Sequence, residues 1–568
     1  MGLRRAHRAA AIAALSAIAI AAGGTSVAAA AAPEHEGGGA SRGSANQTIV
    51  FIVDGLRPDS INATNTPNIL RLRRQGVNYL NSHAAVPTVT RVNSSVIGTG
   101  SYPSRTGIVG NSMFVPEVDP TNPFSTGDAN SLTRLDEVSG GRMIFVKTLG
   151  ERLADEGLTL AAIGSGSSGG TLLLNPRAPR GVGYMINAGD EKGIAPFAYP
   201  EAIGEEIKAR FGLPPSTEGQ PNANAKVDYT QGILRDYVLP ELQPDVILNW
   251  ITEPDGSQHK YAVGSPESIA AIRNDDRQIG LVLDRLEEMG LDEDTNVMLI
   301  SDHGFSLQDF NINLSQELVS AGLKTSAASD DVVVANSGTS LVHVKDRDPA
   351  KIRAIVEFLQ KQSWTDTLYT ATKRPIGGRW VTAGGPARPR GWVPGTFSLE
   401  LIHQANPERG ADIIVTYPWS SRRNMFGVPG TSGKAGGGAT GPRSGPASGH
   451  GSFSPYDIRT TFIAWGPDFR DGVTEVTPAG NVDVAPTILA LNGVNDGLRS
   501  DGRVLREAME DGEQHRLRVP VRTRTHMTRA GAYRATVTVS EINGGRHRYV
   551  DRSARLVDRR ARLPTPAR

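Results

Sequence analysis

Three strand-like apolar runs lead into a carboxylate. Thr48–Val53 runs into Asp54, Val246–Thr252 into Asp255, and Val297–Ser301 into Asp302. In an open α/β sheet the carboxyl ends of the strands converge on one crevice, and ligands bind there. Aspartates remote in the chain can therefore meet.

The intervening segments read as helices. Thr66-Pro67, then Asn68 to Gln75 and Gly76, has a cap, a first-turn proline and a terminal glycine. Ile144 to Gly157 is a second helical stretch, with a strand at Leu158 to Ile163. Ser265-Pro266-Glu267 opens a long amphipathic helix through Met289, closed by Gly290. This alternation predicts an α/β fold with a largely parallel central sheet, helices on both faces and loop insertions.

Some stretches fall outside the alternation. Gly427 to Gly451 is dense in glycine, serine and proline and reads as a long surface loop bordering the site. Lys351 to Gln362 reads as a helix of an inserted subdomain. From about Arg516 the chain turns basic. There Tyr533 to Ile542 alternates like a strand, and Asn543-Gly544-Gly545 turns it toward a second. The expectation is a small C-terminal β appendage, solvated and without function. The divisions are then a leader at 1–32, a Gly/Ser-rich linker at 33–46, a main body at 47–510 and a basic extension at 511–568.

Sixty basic against 59 acidic residues give no bulk charge for nucleic acid or an acidic partner surface. The start carries Arg4, Arg5, His7 and Arg8, an apolar stretch Ala9 to Ala22, and A-x-A sites within Ala28 to Ala32. That is the pattern of an export signal, too short and alanine-rich for a membrane anchor. The chain is thus expected outside the cytoplasm, periplasmic or extracellular, with no stable membrane span after cleavage. It has no cysteine, which excludes disulfides, thiolate metal sites and a cysteine nucleophile. Any metal must be held by oxygen and nitrogen.

Such donors recur beside the strand ends. Asp255 and His259 lie four apart and reach one cation if the turn between them is helical. Asp302 and His303 are adjacent where a buried strand ends, and Gly304 eases the bend. Mixed imidazole and carboxylate suit zinc better than magnesium or calcium. Thr90, in Pro87-Thr88-Val89-Thr90-Arg91-Val92-Asn93, precedes a helix start whose N–H groups favour an anion. A threonine hydroxyl is a weak nucleophile until a metal lowers its pKa. Read this way, the chain is a metallohydrolase.

Taken together, the motifs resemble the alkaline phosphatase superfamily, and within it the type I phosphodiesterase/nucleotide pyrophosphatase branch. The matching segments, in order, begin with Val53-Asp54-Gly55, Pro87 to Asn93, and Thr99-Gly-Ser-Tyr-Pro-Ser-Arg-Thr-Gly107-Ile108 running on to Asn111. Glu253-Pro-Asp255 with His259, Ser301-Asp302-His303-Gly304 and Gly449-His450-Gly451 complete the set. The resemblance implies two zinc ions. Asp255, His259 and His450 would hold one; Asp54, Asp302, His303 and the Thr90 oxygen would hold the other. It further implies a phosphothreonine intermediate on Thr90, with Asn111 donating to a phosphoryl oxygen. The implied substrate is a small phosphoester.

Departures from the family bear on the substrate. Nucleotide pyrophosphatases place an aromatic residue directly after the nucleophile, where this chain has Arg91. Phe114 stands where the family often carries an aromatic and is a candidate to line the pocket. Related monoesterases add a Lys-x-Arg pair after a strand; the corresponding Ile163 to Gly170 has no cation. Diesters or nucleotide pyrophosphates are therefore favoured over phosphate monoesters, although Arg91 could partly substitute. Ser101-Tyr-Pro103-Ser104-Arg105 imitates a sulfatase signature, but Gly100 to Gly107 matches a segment downstream of the sulfatase nucleophile. A non-catalytic metal-binding protein would have lost a ligand, and none is missing. A metal-dependent phosphoglycerate mutase shares the superfamily but is at odds with export.

Overall fold

Gln47–Val53 is the central strand of a nine-stranded sheet. The computed structural model describes residues 43–188, 197–371, 391–443, 445, 447–497, 499–510 and 520–556. The expected leader and most of the linker lie outside them. In sheet order the strands are Val473–Glu475, Val77–Tyr79, Phe462–Trp465, Thr295–Ile300, Gln47–Val53, Val246–Ile251, Leu160–Gly164, Tyr184–Asn187 and Ala198–Tyr199. Within this sheet Phe462–Trp465 and Ala198–Tyr199 run against the others, so it is largely parallel, as expected.

Register places the site. Ile52 pairs with Ile300 on one side and Trp250 on the other, and Val53 pairs with Ile251. Three parallel strands thus end at one level, and Asp54, Asp255 and Asp302 follow from that edge. Alternation along the central strand fills both faces. Ile49, Phe51 and Val53 pack with Ile69, Leu72, Ile279 and Val282 on one side. Val50 and Ile52 pack with Leu149, Leu153, Ile488 and Leu489 on the other.

The helices follow their caps. Pro67–Gln75 starts on its proline. Pro266–Glu288 starts where the Ser265 hydroxyl accepts from Ser268 N–H. The expected helix at 144–157 begins only at Leu149 and ends at Asp155, because Thr148 and Glu151 form a capping box.

The stretch 427–451 is not a loop. Pro429–Ala435 pairs parallel with Ser306–Ile312 and antiparallel with Trp419–Arg423. Gly441–Pro442 and Ser448–Gly449 also pair with Ser306–Ile312, completing a five-stranded sheet. Several of its glycines answer to close packing rather than looseness. A Cβ on Gly430 would lie 2.7 Å from the Tyr456 ring, and one on Gly449 2.1 Å from the Gln308 amide.

A second five-stranded sheet joins Val332–Ser337, Thr339–Val344, Ile413–Val415, Leu368–Thr370 and Phe397–Ser398. The helix Pro349–Leu359 packs on it through Ile352, Ile355, Val356 and Leu359. The C-terminal segment also departs from expectation. Val521–Ala530, Tyr533–Ile542 and His547–Arg555 form a three-stranded sheet rather than a hairpin. Nor is it solvated throughout: Tyr533, Ala535, Val537, Val539 and Val550 enter the same core as the second sheet. Asp551 pairs with buried His83, and Tyr549 stacks on the same ring.

Candidate metal centre

Asp54 follows the central strand and is 2% exposed. Its Oδ2 accepts from the Trp250 indole at 3.1 Å, while its Oδ1 is buried without a hydrogen-bond partner. Asp302 Oδ1 accepts from the N–H groups of Gly55 and His303, at 3.2 and 3.0 Å; its Oδ2 is likewise unpartnered. Asp255 starts the short helix Asp255–Tyr261, which brings His259 round to the same side, and its Oδ1 is also orphaned.

The histidines close the gaps. His303 Nε2 lies 3.3 Å from both Asp54 Oδ1 and Asp302 Oδ2. His450 and His259 place their Nε2 atoms 3.3 and 3.4 Å from Asp255 Oδ1. The other ring nitrogens all face backbone oxygens: His259 Nδ1 faces Ser448 at 3.0 Å, His303 Nδ1 faces Gly304 at 3.1 Å, and His450 Nδ1 faces Thr88 at 2.8 Å.

A carbonyl accepts only, so each Nδ1 must carry the proton, and a neutral ring then offers a lone pair at Nε2. Lone pairs of nitrogen and carboxylate facing each other at such distances are compatible with a cation between them. The orphaned buried oxygens offer further donors to it. The donor set therefore fits a divalent metal. Two groups stand close enough to share an ion, Asp54 with Asp302 and His303, and Asp255 with His303 and His450. His303 belongs to both, whereas the sequence assigned it to one.

Electrostatics differ between the two clusters. Burial, then the charges of Asp302 and Asp255, raise Asp54 well above the usual carboxylate range. Burial and Asp255 push Asp302 up to about 7. Burial would also raise Asp255, but His259 and His450 outweigh it and hold that group well below its ordinary value. Burial and neighbouring His450 push His303 well down, toward the neutral form. A metal bound there would stabilise the charged carboxylates that burial disfavours.

Thr90 is the first residue of the helix Thr90–Ile97, and its Oγ1 sits 3.2 Å from His303 Nε2. Arg91 N–H donates to Asn111 Oδ1 at 3.0 Å, which leaves the Asn111 amide nitrogen unengaged among the described residues. The Arg91 guanidinium lies against Gly127, where a Cβ would be 2.5 Å from it. Its Nε is buried and unpartnered. Burial lowers the Arg91 pKa, and the charges of Asp54, Asp255 and Asp302 partly offset that. The Phe114 ring meets His343 edge-on at 5.5 Å.

Several residues of the site had no sequence signal. Trp250 read only as part of an apolar run, yet it holds Asp54. Thr88 fixes His450: its carbonyl faces Nδ1, and its hydroxyl accepts from Gly451 N–H at 3.0 Å. Asn481 donates to the Asp302 carbonyl at 2.8 Å and to Asn93 at 3.0 Å, tying the Asp302 turn to the Thr90 helix. The partial signal for Thr88 and Asn93 was their place in the Pro87 to Asn93 segment.

Comparison with known proteins gives consistent findings. Residues 48–380 match the profile of a family described as Type I phosphodiesterase / nucleotide pyrophosphatase. Venom phosphodiesterase 2 of Crotalus adamanteus is 26% identical over 262 residues, covering 45% of this chain and 26% of the relative. Ectonucleotide pyrophosphatase/phosphodiesterase family member 1 of Mus musculus is 25% identical over 266 residues, covering 45% and 24% respectively. The chain therefore spans about a quarter of the length of these curated relatives. Among solved structures, murine ectonucleotide pyrophosphatase / phosphodiesterase 5 shares the fold at a TM-score of 0.51 and 16% identity, over 79% of this chain and 95% of that one. No helix of the described residues is long and apolar enough to cross a membrane.

Proposed function

The protein belongs to the type I phosphodiesterase / nucleotide pyrophosphatase family, a branch of the alkaline phosphatase superfamily, and from that premise we propose an exported two-zinc hydrolase of phosphodiesters or nucleotide pyrophosphates. The observation that carries the reading is the set of buried carboxylate oxygens with no partner, each facing a histidine Nε2.

Asp255, His259 and His450 would hold one ion, and Asp54, Asp302 and His303, with the Thr90 oxygen, the other. Bound there, the pair supplies Lewis-acid stabilisation of the attacking and leaving oxygens. Thr90 Oγ1 forms a bond to phosphorus while the bond to the leaving oxygen breaks in line, giving a phosphothreonine. Water then attacks that phosphorus and returns the hydroxyl to Thr90. Asn111, held by Arg91 N–H, turns its amide nitrogen toward a non-bridging oxygen as charge gathers there. The Arg91 guanidinium supports the same group from the side.

One further feature favours diesters. The stretch where related monoesterases carry Lys-x-Arg is here Ile163 to Gly170. Its Gly166 and Gly170 pack on the Trp250 ring, where a Cβ would lie only 2.5 or 2.6 Å from ring carbons. A dianionic terminal phosphate would find no cation on that wall.

The test compares turnover of bis-p-nitrophenyl phosphate and p-nitrophenyl phosphate, with and without chelator, in the wild type and in Thr90→Ala. The expected result is diester preference, loss of activity on chelation and an inactive variant. Preference for the monoester would overturn the substrate class. Activity surviving chelation or Thr90→Ala would overturn the mechanism.

A further inference from the structure

We propose that the outer face of the C-terminal three-stranded sheet docks on an anionic phospholipid bilayer, with Arg529 and Arg552 meeting lipid phosphates and Met527 and Leu556 entering the headgroup layer. The inference does not depend on the hydrolase reading.

The charge is local. The whole chain has 60 basic and 59 acidic residues, yet positions 520 to 556 hold eight arginines, no lysine and two acids. Both acids, Glu541 and Asp551, are buried. Glu541 meets Arg524 at 2.9 Å and Arg548 at 3.3 Å, and Asp551 meets His83 at 2.9 Å. This segment therefore presents arginines to the outside and no carboxylate of its own.

Register decides which side chains share the outer face. Tyr533, Ala535, Val537 and Val539 alternate into the core, so the residues between them point outward. Arg529 pairs with Arg534, Met527 with Thr536 and Thr525 with Thr538. From the other neighbouring strand, Ala554 pairs with Thr536 and Arg552 with Thr538. The Thr525 and Thr538 hydroxyls meet at 3.2 Å, as side chains on one face must. Leu556, whose N–H donates to the Arg534 carbonyl at 2.8 Å, ends the row that Arg529 begins.

The face is open. Arg529, Arg534 and Arg552 are exposed, Met527 is 69% exposed and Leu556 39%. Only threonines and Ala554 lie between them, so the long side chains stand above their neighbours. Arg534 and Thr538, the residue beside Arg552, are four positions apart, on the order of 13 Å along the strand.

That combination fits a bilayer better than a soluble anion. Guanidinium groups spaced so widely meet separate phosphates. A methionine and a leucine on the same face leave water only where an apolar layer receives them. A polyanionic chain would satisfy the charge and leave both apolar groups wet. The sheet is also fixed to the body, since the Tyr533 hydroxyl donates to the Asp366 carbonyl at 2.9 Å and Tyr549 stacks on His83. Docking this face therefore holds the body, and the metal centre with it, at the lipid surface.

The test is cosedimentation of residues 33–568, the form proposed for the exported chain, whose apolar leader then cannot contribute. The vesicles are phosphatidylcholine alone, or with about a third phosphatidylglycerol, at low and high salt. Binding to the anionic vesicles only, weakened by salt, is expected. Arg529→Gln combined with Arg552→Gln should lower it by roughly tenfold or more, at about fivefold for each arginine. Met527→Ser should lower it by about threefold. Arg522→Gln combined with Arg546→Gln removes the same charge elsewhere, Arg522 being opposite Glu541 on the inner face, and should cost about threefold at most. Equal losses in the two double variants, no loss in Met527→Ser, equal binding to both vesicles or binding to neither overturns the proposal. So does retention on single-stranded DNA with none on vesicles, which would assign the face to a polyanionic chain.

Discussion

His303 and His450 stack face to face, with ring centroids 3.6 Å apart and planes tilted by 12°. His303 Nε2 faces Asp54 and Asp302, whereas His450 Nε2 faces Asp255. The stacked pair is thus the partition between two clusters of donors. His450→Ala is expected to lose one metal equivalent, and His303→Ala, whose ring serves both clusters, to weaken both. Each should cost activity by at least on the order of a hundredfold. Elemental analysis of the purified variants beside their turnover checks this. Equal, full metal content in both would contradict it.

The tip of the second sheet's hairpin wedges against the same histidine. Gly338 has φ +75°, and a Cβ there would lie 2.4 Å from both Gly451 Cα and the His450 carbonyl. Its neighbour Ser337 accepts from Ser112 N–H at 3.2 Å, next to Asn111. Gly338→Ala should therefore destabilise the fold by about 2 kcal/mol or more, through the left-handed backbone and the clash together. It should also lower kcat by displacing His450. Ser337→Ala, which loses a hydrogen bond only, should cost about 1 kcal/mol. Denaturant unfolding ranks the two, and the reverse order would refute the wedge.

A third expectation concerns acid. His403 stacks on Tyr102 at 3.9 Å and its Nε2 faces the Arg548 carbonyl. Burial pushes its pKa down to about 4, below the unfolded value of about 6.5. Between those values the unfolded chain binds the extra proton, so stability rises with pH across that window and is lost as pH falls through it. His403→Phe should flatten this part of the stability profile. Thermal melting from pH 4 to pH 7 measures it, and an unchanged slope would exclude His403 as the source.

The C-terminal sheet is expected to be indispensable to the body. Tyr549 donates to Asp483 at 2.9 Å and lies over His83, whose Nε2 is 2.9 Å from Asp551. Tyr549→Ala should cost about 3–5 kcal/mol, as for other buried aromatics. Urea unfolding tests it; a change below 1 kcal/mol would return the segment to the status of a solvated extension.

Helix ends and strand ends were legible because their signals are local. A proline after Thr66 and a serine before Pro266 start helices whatever lies elsewhere in the chain. The Gly427 to Gly451 stretch misled for the converse reason. Glycine marks absent side chains, and composition does not say whether the space goes to solvent or, as at Gly430 and Gly449, to Tyr456 and Gln308.

The amino-acid order alone set which groups are available to a metal. Without cysteine the ligands are carboxylates and imidazoles, and apolar runs ending near Asp54, Asp255 and Asp302 bring three of them to one sheet edge. Tertiary structure alone decided how they meet. That His303 faces both clusters, and that Trp250 and Thr88 orient Asp54 and His450, depend on strand order and register. Those are contacts between residues hundreds of positions apart, and no local periodicity records them.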